Sequence, residues 1–412
     1  MFDYLVARRR DAMAGLIVLL FATSAHGAEP LTVDAAVALA LAANPVLASA
    51  RARAEARAAL PAQAGAWPDP TLTIEPGRAA MNQLKITLNQ AMPYPGKRKL
   101  QQEIAAYDAE AADLEAREAA LQLGSQVKQV WWQLFYLDRA WVTLHHTQEL
   151  MRQLASAAES RYRVGAGIMQ DVLRAQLELS KLMAVEVDLV GQRRGAEARL
   201  NALLYRPATA SLVLPTAVAE SLPELPSEEE LSQLAMSRPM LLAQLRGIAA
   251  AKSALALAHQ DYRPDFMVGA NYESREGEAD MKSVMFTMTL PLHTAARQDK
   301  AVDQRSAELM AQGFAQQEAE TQVTTEVALA LADYRRAREQ ARLLKMAVIP
   351  QAAQTVTSMR MAYQVGKVDF FNLSDAQSTL YDYETRYWQA YSEAQRALAQ
   401  LETAVGQEVV HE

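Results

Sequence analysis

The chain contains no cysteine. That excludes disulfide staples, thiolate metal centres and cysteine nucleophiles, and leaves packing or oligomerisation to hold the fold. Glycine and proline are scarce, sixteen of each in 412 residues, and they gather at a few junctions, so the segments between them are expected to be long and regular. Aromatic residues are only 7% although half the chain is hydrophobic, and the balance of Ala, Leu, Gln, Glu and Arg suits helix packed on helix. An excess of positive charge is also missing. The net charge of −7 argues against nucleic acid as a partner.

Long apolar runs are confined to the N-terminus. Arg8, Arg9 and Arg10 precede an apolar stretch from Met13 to Ala22 and a small-x-small site at Ala25-His26-Gly27, which reads as a secretory signal over residues 1–27. The run is short for a membrane anchor. Cleavage there removes three arginines and two aspartates, giving −8, and with no cysteine following, no N-terminal lipid anchor is expected. No later segment is expected to reach the length of a membrane-spanning helix. If the chain crosses a membrane, strands must do it.

The remainder reads as one plan used twice. The first copy is assigned to residues 28–206, the second to 227–406, with a Pro/Ala/Ser/Leu linker over 207–226 and a tail over 407–412. Pro45 and Pro70 stand as far apart as Pro239 and Pro264, with helix-forming residues between. Ser227 to Glu230 has the form of a capping box. After each second proline come stretches of period two. Leu72 and Ile74, then Leu84, Ile86 and Leu88, alternate with polar neighbours across Pro76-Gly77; Phe266 to Tyr272 and Val284 to Leu290 do so across Gly277. Four half-buried strands follow. Alternation alone fits a soluble sandwich and a membrane barrel equally, but four strands cannot close a barrel without further copies of the chain.

Beyond the corners Pro93-Tyr94-Pro95-Gly96-Lys97-Arg98 and Leu290-Pro291-Leu292 lie two helical runs of roughly seventy residues, each about 100 Å long. Three-four spacing of Val327, Ala330, Tyr334, Ala337, Ala341 and Leu344, and of Leu373 through Tyr387 to Ala404, marks coiled-coil-like seams with small residues. Tyr162-Arg-Val-Gly165 and Tyr363-Gln-Val-Gly366 interrupt these runs. Glycine ends a helix and a short polar residue in the next turn starts another, so both are expected to be tight tips of long helical hairpins, with returning helices from about Met169 to Leu204 and Phe370 to Val405.

Chemistry-bearing motifs do not accompany this plan. Gly165-Ala-Gly167 lacks the third glycine and preceding strand of a dinucleotide loop, Gly96-Lys97 lacks the rest of a P-loop, and zincin and nucleophile-elbow motifs are missing. His145 and His146 are helix neighbours that diverge by roughly 100°, while His259, His293 and His411 are scattered. The seventeen methionines show no Met-x-x-Met cluster and read as packing. Trp131, Trp132 and Trp141 read as packing or groove-facing residues. No enzyme, cofactor or dedicated metal site is expected.

Tyr162-Arg-Val-Gly165 with Asp171-Val-Leu-Arg-Ala-Gln176, and Tyr363-Gln-Val-Gly366 with Asp375-Ala-Gln377, in a duplicated chain with a signal, resemble the TolC-like outer-membrane efflux protein family. Asn44-Pro45 and the Pro-Tyr-Pro-Gly-Lys-Arg corner are most similar to its heavy-metal efflux branch, the CzcC and CusC type. The resemblance implies a mainly α fold with a membrane β-barrel portion. Strand hairpins and coiled-coil helical hairpins of a homotrimer would form a twelve-stranded barrel and a helical tunnel. The trimer would be a passive exit duct in the outer membrane of a Gram-negative bacterium, served by a periplasmic adaptor and an inner-membrane pump of the RND type. It implies adaptor contacts at Val164, Gly165, Val365 and Gly366. It also implies a periplasmic gate at Asp375 and Asn372, where an amide replaces the family's first acid, with Asp369 one turn earlier as a substitute charge and Arg174 or Arg163 as ionic partners. The alternatives are an exit duct for drug export or protein secretion, and a soluble periplasmic coiled-coil scaffold.

Overall fold

The computed structural model describes residues 30–76, 83–275 and 279–409; the signal expected over residues 1–27, the turn glycines Gly77 and Gly277, and His411 lie outside them. Helices α1 (Val33–Ala43), α2 (Pro45–Ala58) and α3 (Leu60–Gly65) lead to strands β1 (Thr71–Pro76) and β2 (Gln83–Met92), then to α4 (Lys97–Arg163) and its return α5 (Met169–Leu203). After an extended segment come α6 (Glu228–Ala235), α7 (Pro239–Gln260), β3 (Asp265–Arg275), β4 (Met281–Thr289), α8 (Gln298–Leu343), a π-helical turn (Leu344–Val348), α9 (Ile349–Gln364) and α10 (Phe370–Val405).

Helix boundaries follow local chemistry. Asn44 accepts the Val46 amide and bends the chain by 50° between α1 and α2, while its own amide nitrogen donates to Leu203 O at 3.0 Å. Ser227 and Glu230 form the reciprocal capping box of α6. At the tips, Gly165 and Gly366 take φ of +73° and +72°. Ala166 N–H bonds Arg161 O and Lys367 N–H bonds Ala362 O, both at 2.9 Å, the six-to-one closure of a Schellman end.

The strands form a single antiparallel sheet in the order β1-β2-β3-β4, and β2 pairs β3 with Ile86 opposite Tyr272 and Leu88 opposite Ala270. One face carries Leu72, Ile74, Ile86, Leu88, Val268, Val284 and Phe286; the other carries Thr71, Thr73, Thr87, Asn89, Asn271, Ser283 and Thr287. The apolar face meets no core within the chain: Val284 is 81% and Phe286 65% exposed. A sandwich would bury that face, so the soluble alternative loses its support here. Among the described residues, the outer edges of β1 and β4 have no partner strand.

The core runs along the helices. Trp131, Phe135, Leu137, Leu144, Leu200 and Tyr391 are buried in its largest part, and Trp131 Nε1 donates to Leu31 O at 2.9 Å. Trp132 is buried as well, whereas Trp141 is 40% exposed and stacks on His145. The seam residues Val327, Ala330, Tyr334, Ala337, Ala341 and Leu344 are all buried. Burial pushes the Tyr334 phenol up to about 12, and its hydroxyl donates to Pro223 O at 2.6 Å.

Three expectations need correction. Helix α7 is long and apolar enough to cross a membrane by length and composition, because Ala and Leu dominate it; it instead lies along α4 and α8, with Arg246 paired to Glu110 at 2.9 Å. The segment expected as a linker is a packed strap: Leu212 and Leu214 are buried, and Tyr391 OH donates to Ala219 O. The helical run of the second half is not continuous as α4 is, since Pro350 forces the π-helical turn just before it.

Candidate functional site

The two tips lie side by side at one end of the hairpins. Arg161, at the end of α4, joins them: its guanidinium donates to Tyr363 O in the second tip and to Ala166 O in the first, and lies 4.7 Å above the Tyr363 ring. Tyr363 packs edge-on against Phe370, and both belong to an apolar plug with Met151, Val172, Ala175 and Leu373. The Tyr363 hydroxyl is buried without a partner, and burial, followed by the nearby Asp171 charge, raises its pKa. Burial, followed by the Asp369 carboxylate, likewise pushes Asp171 above the usual carboxylate range against the pull of Arg161.

Val164 and Val365 crown this arrangement at 78% and 69% exposure, each beside its left-handed glycine, Gly165 or Gly366. Asp369 is the N-cap of α10. Its Oδ1 accepts the Asn372 backbone N–H at 3.0 Å and the Asn372 side-chain amide at 2.6 Å. Its charge is therefore spent on the helix start. Asp375 is exposed one turn further on and, among the described residues, makes no ion pair within the chain. Arg174 instead stacks on Phe371 at 4.0 Å and Arg163 pairs with Glu159 at 3.3 Å. The expected pairing of Asp375 with either arginine is not formed within one chain.

Sequence reading missed Arg161, Asp171 and Tyr363 as a unit. Each flanks a Val-Gly turn, but only the fold shows that the two turns touch. Elsewhere, His145 lies 3.5 Å from Glu186, and among the described residues no three His, Asp or Glu side chains converge as metal ligands.

Long helical hairpins rooted in an open sheet with an exposed apolar face define a channel-forming outer membrane protein. Residues 231–407 match the family described as outer membrane efflux protein. Among curated proteins it is similar to the cobalt-zinc-cadmium resistance protein CzcC of Cupriavidus metallidurans, 22% identical over 394 residues, covering 92% of this chain and 91% of the relative. Among solved structures it shares the fold of CusC, described in terms of conformational changes accompanying folding and transmembrane channel formation (TM-score 0.81, 17% identity, 92% of both chains). It also shares the fold of the open-state MtrE outer membrane channel of Neisseria gonorrhoeae (TM-score 0.79, 18% identity, 92% of this chain and 90% of that one).

Proposed function

We propose that three copies of this chain join their four-stranded sheets into one twelve-stranded barrel in the outer membrane and their helices into a periplasmic tunnel. The whole is a passive exit duct of a tripartite efflux system. The observation that carries this reading is the sheet itself: both outer edges without a partner strand among the described residues, one face apolar and exposed, the other polar. Lipid satisfies the first face, a water-filled lumen the second, and closure by further copies removes the edges.

The division of the chain at 206 and 226 into two repeats and a strap, after a cleaved 1–27 signal, belongs to the same proposal. So do its partners, a periplasmic adaptor and an inner-membrane pump of the RND type, with metal cations as cargo. The likeness to CzcC supports the cargo. The exposed Val164, Gly165, Val365 and Gly366 suit the adaptor contact, since an apolar, rigid turn at the far end of a hairpin presents a surface without unfolding anything. Asp375 contributes a ring of three carboxylates at the entrance, which draws cations. Asn372 and Asp369 fix the start of the helix that carries it, and Arg174 braces Phe371 opposite.

Detergent extraction of outer membranes tests the assembly. A heat-resistant trimer in the detergent fraction is expected; release of the folded protein by osmotic shock would contradict the barrel and favour a periplasmic scaffold.

A further inference from the structure

The two outbound helices differ in one respect. Helix α4 runs unbroken from Lys97 to Arg163, whereas α8 gives way to a π-helical turn over Leu344–Val348 before α9 begins. Pro350 explains the break: it has no N–H to offer and its ring crowds the carbonyl four residues back. Ile349 N–H consequently bonds Leu344 O, five residues back.

The first part of the strap is held by Leu31 N–H on Val213 O and by the Asn201 side chain on Ala210 O; its later part, from Ala219 to Glu224, is fastened to this neighbourhood. Above the turn, Leu222 O accepts Arg338 Nε at 3.1 Å and Pro223 O accepts the Tyr334 hydroxyl. At the turn, the Glu220 carboxylate accepts Lys345 Nζ and, at 2.6 Å, the hydroxyl of Tyr387 on α10. Burial raises the Glu220 pKa, but the hydrogen bonds of Lys345 and Tyr387 and the charges of Lys345 and Arg139 outweigh it and hold the carboxyl below its usual range. Below the turn the polar fastening stops and α9 is held by packing alone. Among the described residues, side chains of α9 make no hydrogen bond or ion pair to another element; Thr355 and Thr357 bond only within their own helix, and the next tie is Arg161 to Tyr363 O at the tip.

We propose that Leu344–Val348 is a hinge for α9 and that Glu220, clamped on Lys345 and Tyr387, is the latch that sets its angle. Helix α9 carries Val365 and Gly366 at its end, so the latch determines how far the second tip stands from the first. The sixteen residues of α9 form a lever of about 24 Å, and a swing of about 10° at the turn moves its end by about 4 Å. Glu220 is thus a positioning residue, acting through Lys345.

The inference rests on the duct reading only for its consequence at the tips, and its test is independent of conduction. Because the chain has no cysteine, introduced pairs carry spin labels without background. In the detergent-solubilised protein, one pair at Met169 and Gln364 spans the start of α5 and the end of α9 below the turn, and another at Gln192 and Gln340 spans α5 and α8 above it. In Glu220→Ala, and equally in Lys345→Met, the lower distance is expected to shift or split by about 4 Å, the lever's displacement, while the upper distance stays. Adding Pro350→Ala, which permits a regular helix, is expected to abolish the shift. An unchanged lower distance, equal shifts in both pairs, or a shift that survives Pro350→Ala would overturn the proposal. Conductance of the same variants reports on the duct, so either reading can fail without the other.

Discussion

Where the tips meet, Asp171 lies close enough to Asp369 for the two carboxylates to repel, in surroundings that already disfavour charge. The folded pKa of Asp171 lies above its unfolded value, so the folded tip favours the protonated acid. The resulting stabilisation is fully present below the ordinary carboxylate value and is lost as pH rises through the raised one. Asp171→Asn imitates the protonated acid. The variant is expected to melt above wild type at neutral pH, with the gap closing on acidification; a gap independent of pH, or of opposite sign, would count against the pair. Asp375 differs, being exposed and, among the described residues, without an ion pair. Three such carboxylates around a shared axis select for cations. Asp375→Ala is expected to enlarge single-channel steps and to lower cation preference, and a variant indistinguishable from wild type would remove Asp375 from the gate.

Among the elements, the joint between α7, α4 and α8 is made by a buried ion cluster. Arg238 reaches Glu118 at 2.7 Å and Glu326 at 2.7 Å, with side-chain exposures of 5% and 9% for Arg238 and Glu118. Arg238→Met leaves Glu118 buried without its partner and is expected to cost about 3–5 kcal/mol, read as a large fall in melting temperature with the oligomer otherwise intact. Trp131→Ala, which empties the centre of the largest core region, is expected to cost about 3–5 kcal/mol as well; a loss near zero in either would contradict the packing described here.

Legibility in the sequence divides at this scale. Val-Gly turns, period-two strands and the three-four seams are local patterns, so Gly165, Gly366, the strands and the buried Tyr334 could be read directly. The Arg161 bond to Tyr363 spans 202 residues, and no local signal announces it. Pro350 did stand in the helical run, and a proline there is a physical reason to expect the π-helical turn. The strap read as a tether because Pro, Ala and Ser dominate it; its hold on the helices comes from its backbone carbonyls, Ala219 O, Leu222 O and Pro223 O, which composition cannot show. Asp369 looked like a gate charge because its role as a cap depends on where α10 begins.

At the scale of the whole molecule, one chain is incomplete. Its sheet exposes an apolar face on one side, ends in two edges with no partner strand among the described residues, and continues into helical hairpins about 100 Å long by their residue count. Residues 231–407 match the outer membrane efflux protein family, and the proposed duct shared between copies resolves each of these features at once. The most direct measurement is ion conductance of the purified, detergent-extracted protein in a planar lipid bilayer. Discrete, long-lived steps of one uniform size are the predicted result. A folded protein that inserts and gives no steps, or gives none because it remains a soluble monomer, would contradict the shared barrel and with it the duct.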